Sequence, residues 1–186
     1  VYVGCGIHPD CTYEESHVDY IYPGVFIAQS SGNNDGNGTC SNNSPRHYMP
    51  AATGAADAYD GIMVVGAIDY TGATVDGSFS ATTPSGLTAL PAGSNYGNCV
   101  DIWAPGDAVY AEWGPFSTDT LVGTTYSNIA AISGTSMAAP HVAAAAAYYA
   151  DVYSLTSPSA IEQTIRANWS TLGTDRSSAT VHMVHF

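Results

Sequence analysis

The sequence has 186 residues, and 3 cationic side chains against 16 carboxylates give it a formal net charge of −13. Because 45% of its residues are apolar and only 10% are charged, the acidity comes from missing cations, and a disordered acidic tail is excluded. Three cations cannot neutralise the phosphates of a nucleic acid or hold the chain on an anionic membrane surface, so both partner classes are excluded.

The predicted elements alternate between helices and short apolar strands. The run Thr12-Tyr-Glu-Glu15 has the spacing of a capping box and predicts a helix that Pro23-Gly24 ends. Four short apolar runs, each bounded by turn-forming residues, predict strands at 25–28, 62–67, 100–104 and 130–133. This alternation predicts an α/β domain built on a mostly parallel sheet.

The C-terminal third predicts two helices. The alanine-rich run 137–149 favours a helix, with Pro140 close enough to its start to be tolerated. Ser157-Pro158 predicts a second start, and apolar residues then recur every fourth position, at Ile161, Ile165 and Trp169. The segment 71–98 interrupts the alternation, and its many Gly, Ser and Thr residues predict a long surface excursion.

A serine stands where the fourth strand turns into the alanine-rich helix. Ser136 follows Gly134-Thr135 and lies in the first helical turn, where the helix dipole stabilises negative charge. A serine at such a position is most often a plain cap, so position alone does not assign it a role.

The run Gly134-Thr-Ser-Met-Ala-Ala-Pro-His-Val-Ala143 closely resembles the nucleophile motif of subtilisin-like serine proteases. Three further blocks occur in that family's order: Ser31-Gly-Asn33, Val65-Gly-Ala67 with Asp69, and Ser94-Asn-Tyr-Gly97 leading to 100–106. These motifs are most similar to those of the proteinase K branch, and the resemblance covers roughly residues 15 to 170. The resemblance implies a subtilisin-like three-layer α/β fold, of which residues 1–186 form the C-terminal portion.

The resemblance also implies roles for individual residues. Ser136 is expected to be the acyl-transfer nucleophile, with its own N–H and the Asn33 side chain as oxyanion donors. Ser30, Ser31 and Gly32 correspond to the strand edge that lines the primary specificity pocket, which implies peptide or protein substrates. The simpler interpretation of Asn33 is a turn residue in an Asn- and Gly-rich loop.

No cofactor is expected for catalysis, but the resemblance implies a structural calcium site. Its ligands would be the Asp101 carboxylate and the backbone carbonyls of Asp60 and Ile62, hard oxygen donors of the kind that calcium prefers. Asp101 could equally be a capped carboxylate of the core.

The general base and its orienting carboxylate have no match in this sequence. In subtilases both precede the oxyanion Asn, yet the 32 residues before Asn33 contain no Asp or His block of the family. His8, His17, Asp10 and Asp19 stand in unrelated contexts. We therefore expect an N-terminal segment of the same precursor to supply the Asp and the His. The alternative is a retired subtilase domain that serves as a structural or binding subunit.

An esterase of the α/β-hydrolase type is a further alternative, because Ser136, Asp175 and His182 follow the chain order of that fold's triad. It is disfavoured because its serine elbow would need Gly at position 138, where the sequence has Ala.

Cysteine usage and sequons point to a secreted protein. Four cysteines, three Asn-X-Ser/Thr sequons and an almost complete lack of cations fit an oxidising compartment, and no apolar run is long enough for a membrane helix. The cysteines allow three disulfide pairings, of which Cys5–Cys11 with Cys40–Cys99 is preferred. A zinc site at Cys5, His8 and Cys11 would be one ligand short.

Overall fold

A mostly parallel sheet of five strands is the centre of the structure, a computed structural model that describes residues 24–34, 59, 61–75, 77, 79, 93–97, 100–112 and 129–185. The described elements, in chain order, are β1 (Ile27–Ser30), β2 (Asn33–Asn34), β3 (Ile62–Ile68), β4 (Gly93–Ser94), β5 (Ile102–Pro105), β6 (Val109–Glu112), β7 (Ile129–Ile132), α1 (Thr135–Val152), α2 (Pro158–Asn168), β8 (Ser170–Thr174) and β9 (Thr180–Met183).

The central sheet has the strand order β1-β3-β5-β9-β8. Its first four strands pair in parallel, and β8 closes the edge as an antiparallel partner of β9. β3 is buried at every position after its first, which is typical of a central parallel strand covered on both faces. The predicted α/β class with a mostly parallel sheet is confirmed.

Three of the four predicted strands lie in this sheet, shifted by one or two residues. Val25, predicted to begin the first of them, precedes β1 and is 52% exposed. The fourth, predicted at 130–133, is β7, and it pairs antiparallel with β6 in a separate two-stranded sheet. β6, β8 and β9 were not predicted, because they lack the apolar runs that predicted β1, β3, β5 and β7.

The two helices predicted in the C-terminal third are confirmed, and both pack on the same side of the sheet. α1 extends two residues before and three residues beyond the prediction and continues through Pro140. Its alanines let it lie close against β1, β3 and β5. α2 begins at Pro158 and buries Ile161 and Ile165, whereas Trp169 lies just after its end.

The side chains of β3 alternate between two apolar clusters. Met63, Val65 and Ala67 belong to the larger cluster under α1, and Ile68 belongs to a smaller one built around Trp103. Gly66 precedes Ala67 in the same strand, and a Cβ on Gly66 would lie only 2.6 Å from Cε3 of Trp103. The Trp103 indole therefore occupies the space that a side chain at position 66 would need.

The segment 71–98 returns to the interior at its C-terminal end. Residues 93–97 are buried, and β4 pairs antiparallel with β2. Val75 is also buried and accepts a hydrogen bond from the Ser94 N–H at 2.6 Å. The surface excursion expected for this segment therefore does not include residues 93–97, which lie beside the strand that carries Asn33.

Candidate functional site

The start of α1 holds Ser136 at the surface. Gly134 precedes the helix with a φ of 154°, a conformation that residues with a side chain rarely adopt, and its N–H donates to the carbonyl of Gly106 at 2.8 Å. Thr135 is buried, whereas Ser136 is exposed in the first helical turn. The serine hydroxyl is thus accessible at the positive end of an 18-residue helix.

Asn33 caps this helix from a different segment. Its Oδ1 accepts from the Thr135 N–H at 3.0 Å and from the Thr135 hydroxyl at 2.9 Å. A backbone N–H can only donate, so the oxygen of the carboxamide must face Thr135 and the nitrogen must point elsewhere. That nitrogen lies 3.1 Å from the point where Gly134 would carry a Cβ. The missing side chain of Gly134 therefore leaves room for the Asn33 amide donor beside the backbone that leads into Ser136.

The backbone before Asn33 is fixed by Asn95. The Asn95 side-chain amide donates to the carbonyl of Ser31 at 2.6 Å, and its backbone N–H donates to the carbonyl of Gly32 at 2.9 Å. Gly32 has a φ of 91°, and a Cβ there would lie 2.7 Å from Nδ2 of Asn95. Ser31 is buried and Ser30 half-buried. Asn95 belongs to one of the family-like blocks of the sequence, but nothing in the sequence indicates this role.

Asp101 is a buried carboxylate with two nitrogen donors. One oxygen accepts from the Val64 N–H at 2.8 Å, and the other accepts from Nη2 of Arg166 at 2.8 Å. Burial raises the pKa of the Asp101 carboxyl, and these two donors oppose the rise. Ile62 lies half-buried at the start of β3, and Asp60 falls outside the described residues. The structure thus gives Asp101 the contacts of a capped core carboxylate.

The residues of the alternative esterase triad have other partners. Asp175 accepts from the Gly97 N–H at 2.7 Å and from backbone and hydroxyl groups of its own turn. His182 stacks on Trp169 with ring centroids 3.8 Å apart, and its Nδ1 contacts the Thr171 hydroxyl. The contacts of Asp175 and His182 are those of structural residues, and this disfavours the esterase alternative.

Several predicted residues lie outside the described residues. They include the helix expected from Thr12 and the candidates named near the N-terminus, namely Cys5, His8, Asp10, Cys11, His17, Asp19, Cys40 and Cys99. The disulfide pairing and the zinc alternative therefore remain predictions.

The fold places the chain among α/β proteins with a mostly parallel sheet. An exposed serine at a helix start beside a side-chain amide is an arrangement that serine hydrolases use to stabilise an oxyanion. Residues 11–182 match the profile of the Peptidase_S8 group, the subtilase family. The chain therefore belongs to the subtilase family.

Individual relatives agree with this assignment. The chain is 35% identical over 125 residues to Subtilisin-like protease 2 of Trichophyton rubrum, an alignment that covers 61% of this chain and 27% of the relative. It is 43% identical over 68 residues to an extracellular serine proteinase of Thermus sp. strain Rt41A, which covers 37% of this chain and 14% of the relative. Alkaline serine exoprotease A of Vibrio alginolyticus is 36% identical over 107 residues, which covers 56% of this chain and 18% of that protein.

A solved structure shows the same fold. The crystal structure of a cold-adapted subtilisin-like serine proteinase superposes with a TM-score of 0.54 at 23% identity, covering 87% of this chain and 45% of that one. The chain thus spans less than half of this neighbour and about a quarter or less of the three relatives. In the part of the chain that the structure describes, no helix has the length and apolarity needed to cross a membrane.

Proposed function

We propose that this chain carries the nucleophile and the oxyanion hole of a secreted serine endopeptidase that hydrolyses peptide bonds. The observation that carries the proposal is the orientation of Asn33. Its oxygen is held by two hydrogen bonds from Thr135, so its nitrogen is left to donate on the other side, next to Gly134 and two residues before Ser136 in the chain. A capping role alone needs only the oxygen, whereas an oxyanion hole needs the nitrogen at a fixed position.

The chemistry follows from these groups. The hydroxyl oxygen of Ser136 attacks the carbonyl carbon of the scissile peptide bond, and its proton passes to a general base. Negative charge then develops on the carbonyl oxygen, where the Asn33 amide and the Ser136 N–H donate to it. Collapse of the tetrahedral intermediate expels the amine, which takes the proton from the base, and water later hydrolyses the acyl-enzyme.

Substrate binding is proposed at the strand edge formed by Ser30, Ser31 and Gly32. Ser30 is the last residue of β1, Ser31 and Gly32 follow it directly, and all three have small side chains or none. Asn95 would keep this edge in place through its two hydrogen bonds to the Ser31 and Gly32 carbonyls.

We further propose that the Asp and the His of the triad come from an N-terminal segment of the same precursor. The sequence has no Asp or His block of the family before Asn33, and the chain aligns with only part of each relative. Secretion is proposed from the composition and from the relative whose name describes it as extracellular.

Labelling with a fluorophosphonate probe tests the proposal. The complete protein should be labelled on one serine, and Ser136→Ala should abolish the label. Ser133→Ala is a matched control in the same loop, because the Ser133 hydroxyl bonds to Asp107 and should not react. If the folded protein takes no label even when its N-terminal segment is present, the proposed enzyme activity is refuted. The alternative of a structural or binding subunit is then favoured.

A further inference from the structure

Arg166 occupies an unusual place for a cation in this protein. It is one of only three cationic side chains in the whole sequence, yet its side chain is only 17% exposed. Its Nη2 lies 2.8 Å from one Asp101 oxygen and 2.7 Å from Oε1 of Glu162, and its Nε donates to the same Glu162 oxygen. One of the three cationic side chains of this sequence therefore lies between two buried carboxylates.

Glu162 ties this cluster to the start of β3. It is completely buried, and its second oxygen accepts from the Gly61 N–H at 2.9 Å. Gly61 also packs directly beneath Pro158, where a Cβ would collide with the proline ring. Glu162 therefore links α2 to the residue before β3, and Asp101, the residue before β5, links Arg166 of α2 to Val64 of β3.

We propose that the guanidinium of Arg166 takes the structural role of a metal cation at Asp101, so that this locus is an internal ion cluster and not a calcium site. All four oxygens of Asp101 and Glu162 accept hydrogen bonds from nitrogen donors, namely those of Val64, Gly61 and Arg166. The positive charge that buried carboxylates require is thus supplied by the chain itself.

Calcium does not fit beside this cluster. The ion needs six to eight oxygen ligands at about 2.3–2.6 Å, so an ion bound to the Asp101 oxygen that Arg166 contacts would lie within about 5 Å of a guanidinium nitrogen. Two cations that close in a buried site repel each other strongly. Among the described residues, no group of three or more His, Cys, Asp or Glu side chains is placed to hold a metal ion.

The first experiment asks whether a cation binds at Asp101. Crystals soaked with Tb³⁺, a calcium substitute with strong anomalous scattering, should show no anomalous peak at Asp101, and Arg166 should remain in contact with it. An anomalous peak at the Asp101 carboxylate would overturn the proposal. In solution, the difference in Tm between millimolar calcium and EDTA should be the same for the wild type and for Asp101→Asn, and a difference lost in that variant would also overturn it.

The second experiment removes the internal cation. Arg166→Met keeps an unbranched apolar stem but removes the guanidinium, so two buried carboxylates are left without a positive charge and the Tm should fall by roughly 10 °C in EDTA. Arg176→Met is the matched control, because Arg176 is exposed, and its Tm should change far less. Calcium should restore part of the Tm of Arg166→Met, because the vacated carboxylates can then accept an external cation. An Arg166→Met protein as stable as the control would contradict the role given to this arginine.

Discussion

Replacing Asn33 by aspartate separates the two functions that the structure gives this side chain. Aspartate has the same shape and keeps an oxygen that can accept from the Thr135 N–H and hydroxyl, so the cap on α1 should persist. The amide nitrogen, however, becomes a carboxylate oxygen at the position next to Gly134 that we propose for the oxyanion donor. Removing one oxyanion donor lowers kcat about 100- to 1,000-fold, equivalent to about 2.7–4 kcal/mol; this range comes from a subtilisin and is therefore a family value. The added negative charge opposes the developing oxyanion, so the fall for Asn33→Asp should be at least this large.

Steady-state kinetics with a chromogenic peptide substrate, on the complete protein, measure this effect. KM should change little, because the donor acts on charge that appears only in the transition state. The Tm should stay within a few degrees of the wild type, which distinguishes lost catalysis from lost folding. A variant whose kcat remains within tenfold of the wild type would show that Asn33 is only a cap.

Three further substitutions test other contacts. Thr135→Val removes one of the two hydrogen bonds that orient the Asn33 carboxamide, worth about 1 kcal/mol, so kcat should fall roughly fivefold. An unchanged kcat would mean that the remaining bond from the Thr135 N–H is sufficient. Gly66→Ala places a methyl group 2.6 Å from Cε3 of Trp103, and overpacking of about 1–3 kcal/mol should lower the Tm by roughly 3–10 °C, measured by calorimetry. A Tm equal to the wild type would show that the indole can move aside without cost. Burial and a neighbouring guanidinium lower the pKa of His182 below its usual 6.5. The unfolded chain therefore binds the proton more readily, so this contribution to stability is complete above about pH 6.5 and is lost as the pH falls through the lowered pKa. His182→Phe keeps the stacking but cannot titrate, so its Tm should depend less on pH between 7 and 5, and identical slopes would contradict this assignment.

Local patterns in the sequence predicted the two C-terminal helices and the main strands of the described residues well. The run 137–149 is rich in alanine, and α1 extends only a few residues beyond it, because helix formation depends on neighbours within one or two turns. The same locality explains the position of Ser136 at a helix start. Strand pairing is different, because a partner can lie anywhere in the chain. The run predicted at 130–133 forms a strand, but only the tertiary structure shows that it pairs with β6 outside the central sheet.

The family resemblance identified Asn33 but not what orients it. The sequence separates Asn33 from Thr135 by about a hundred residues, and their two hydrogen bonds exist only because β1 and α1 lie side by side. The position of Asn95 against Ser31 and Gly32 depends on the same kind of contact between distant segments. Sequence spacing carries no information about such contacts.

By itself the sequence determined the class of fold, the candidate nucleophile and its helix. Only the tertiary structure showed which groups Arg166 contacts. Asp101 was an expected calcium ligand on the basis of its motif, and Arg166 was a charged residue on a predicted helix with no role. Folding buries Asp101 and Glu162 on either side of that guanidinium, and a buried carboxylate must be matched by a positive charge from whichever segment reaches it.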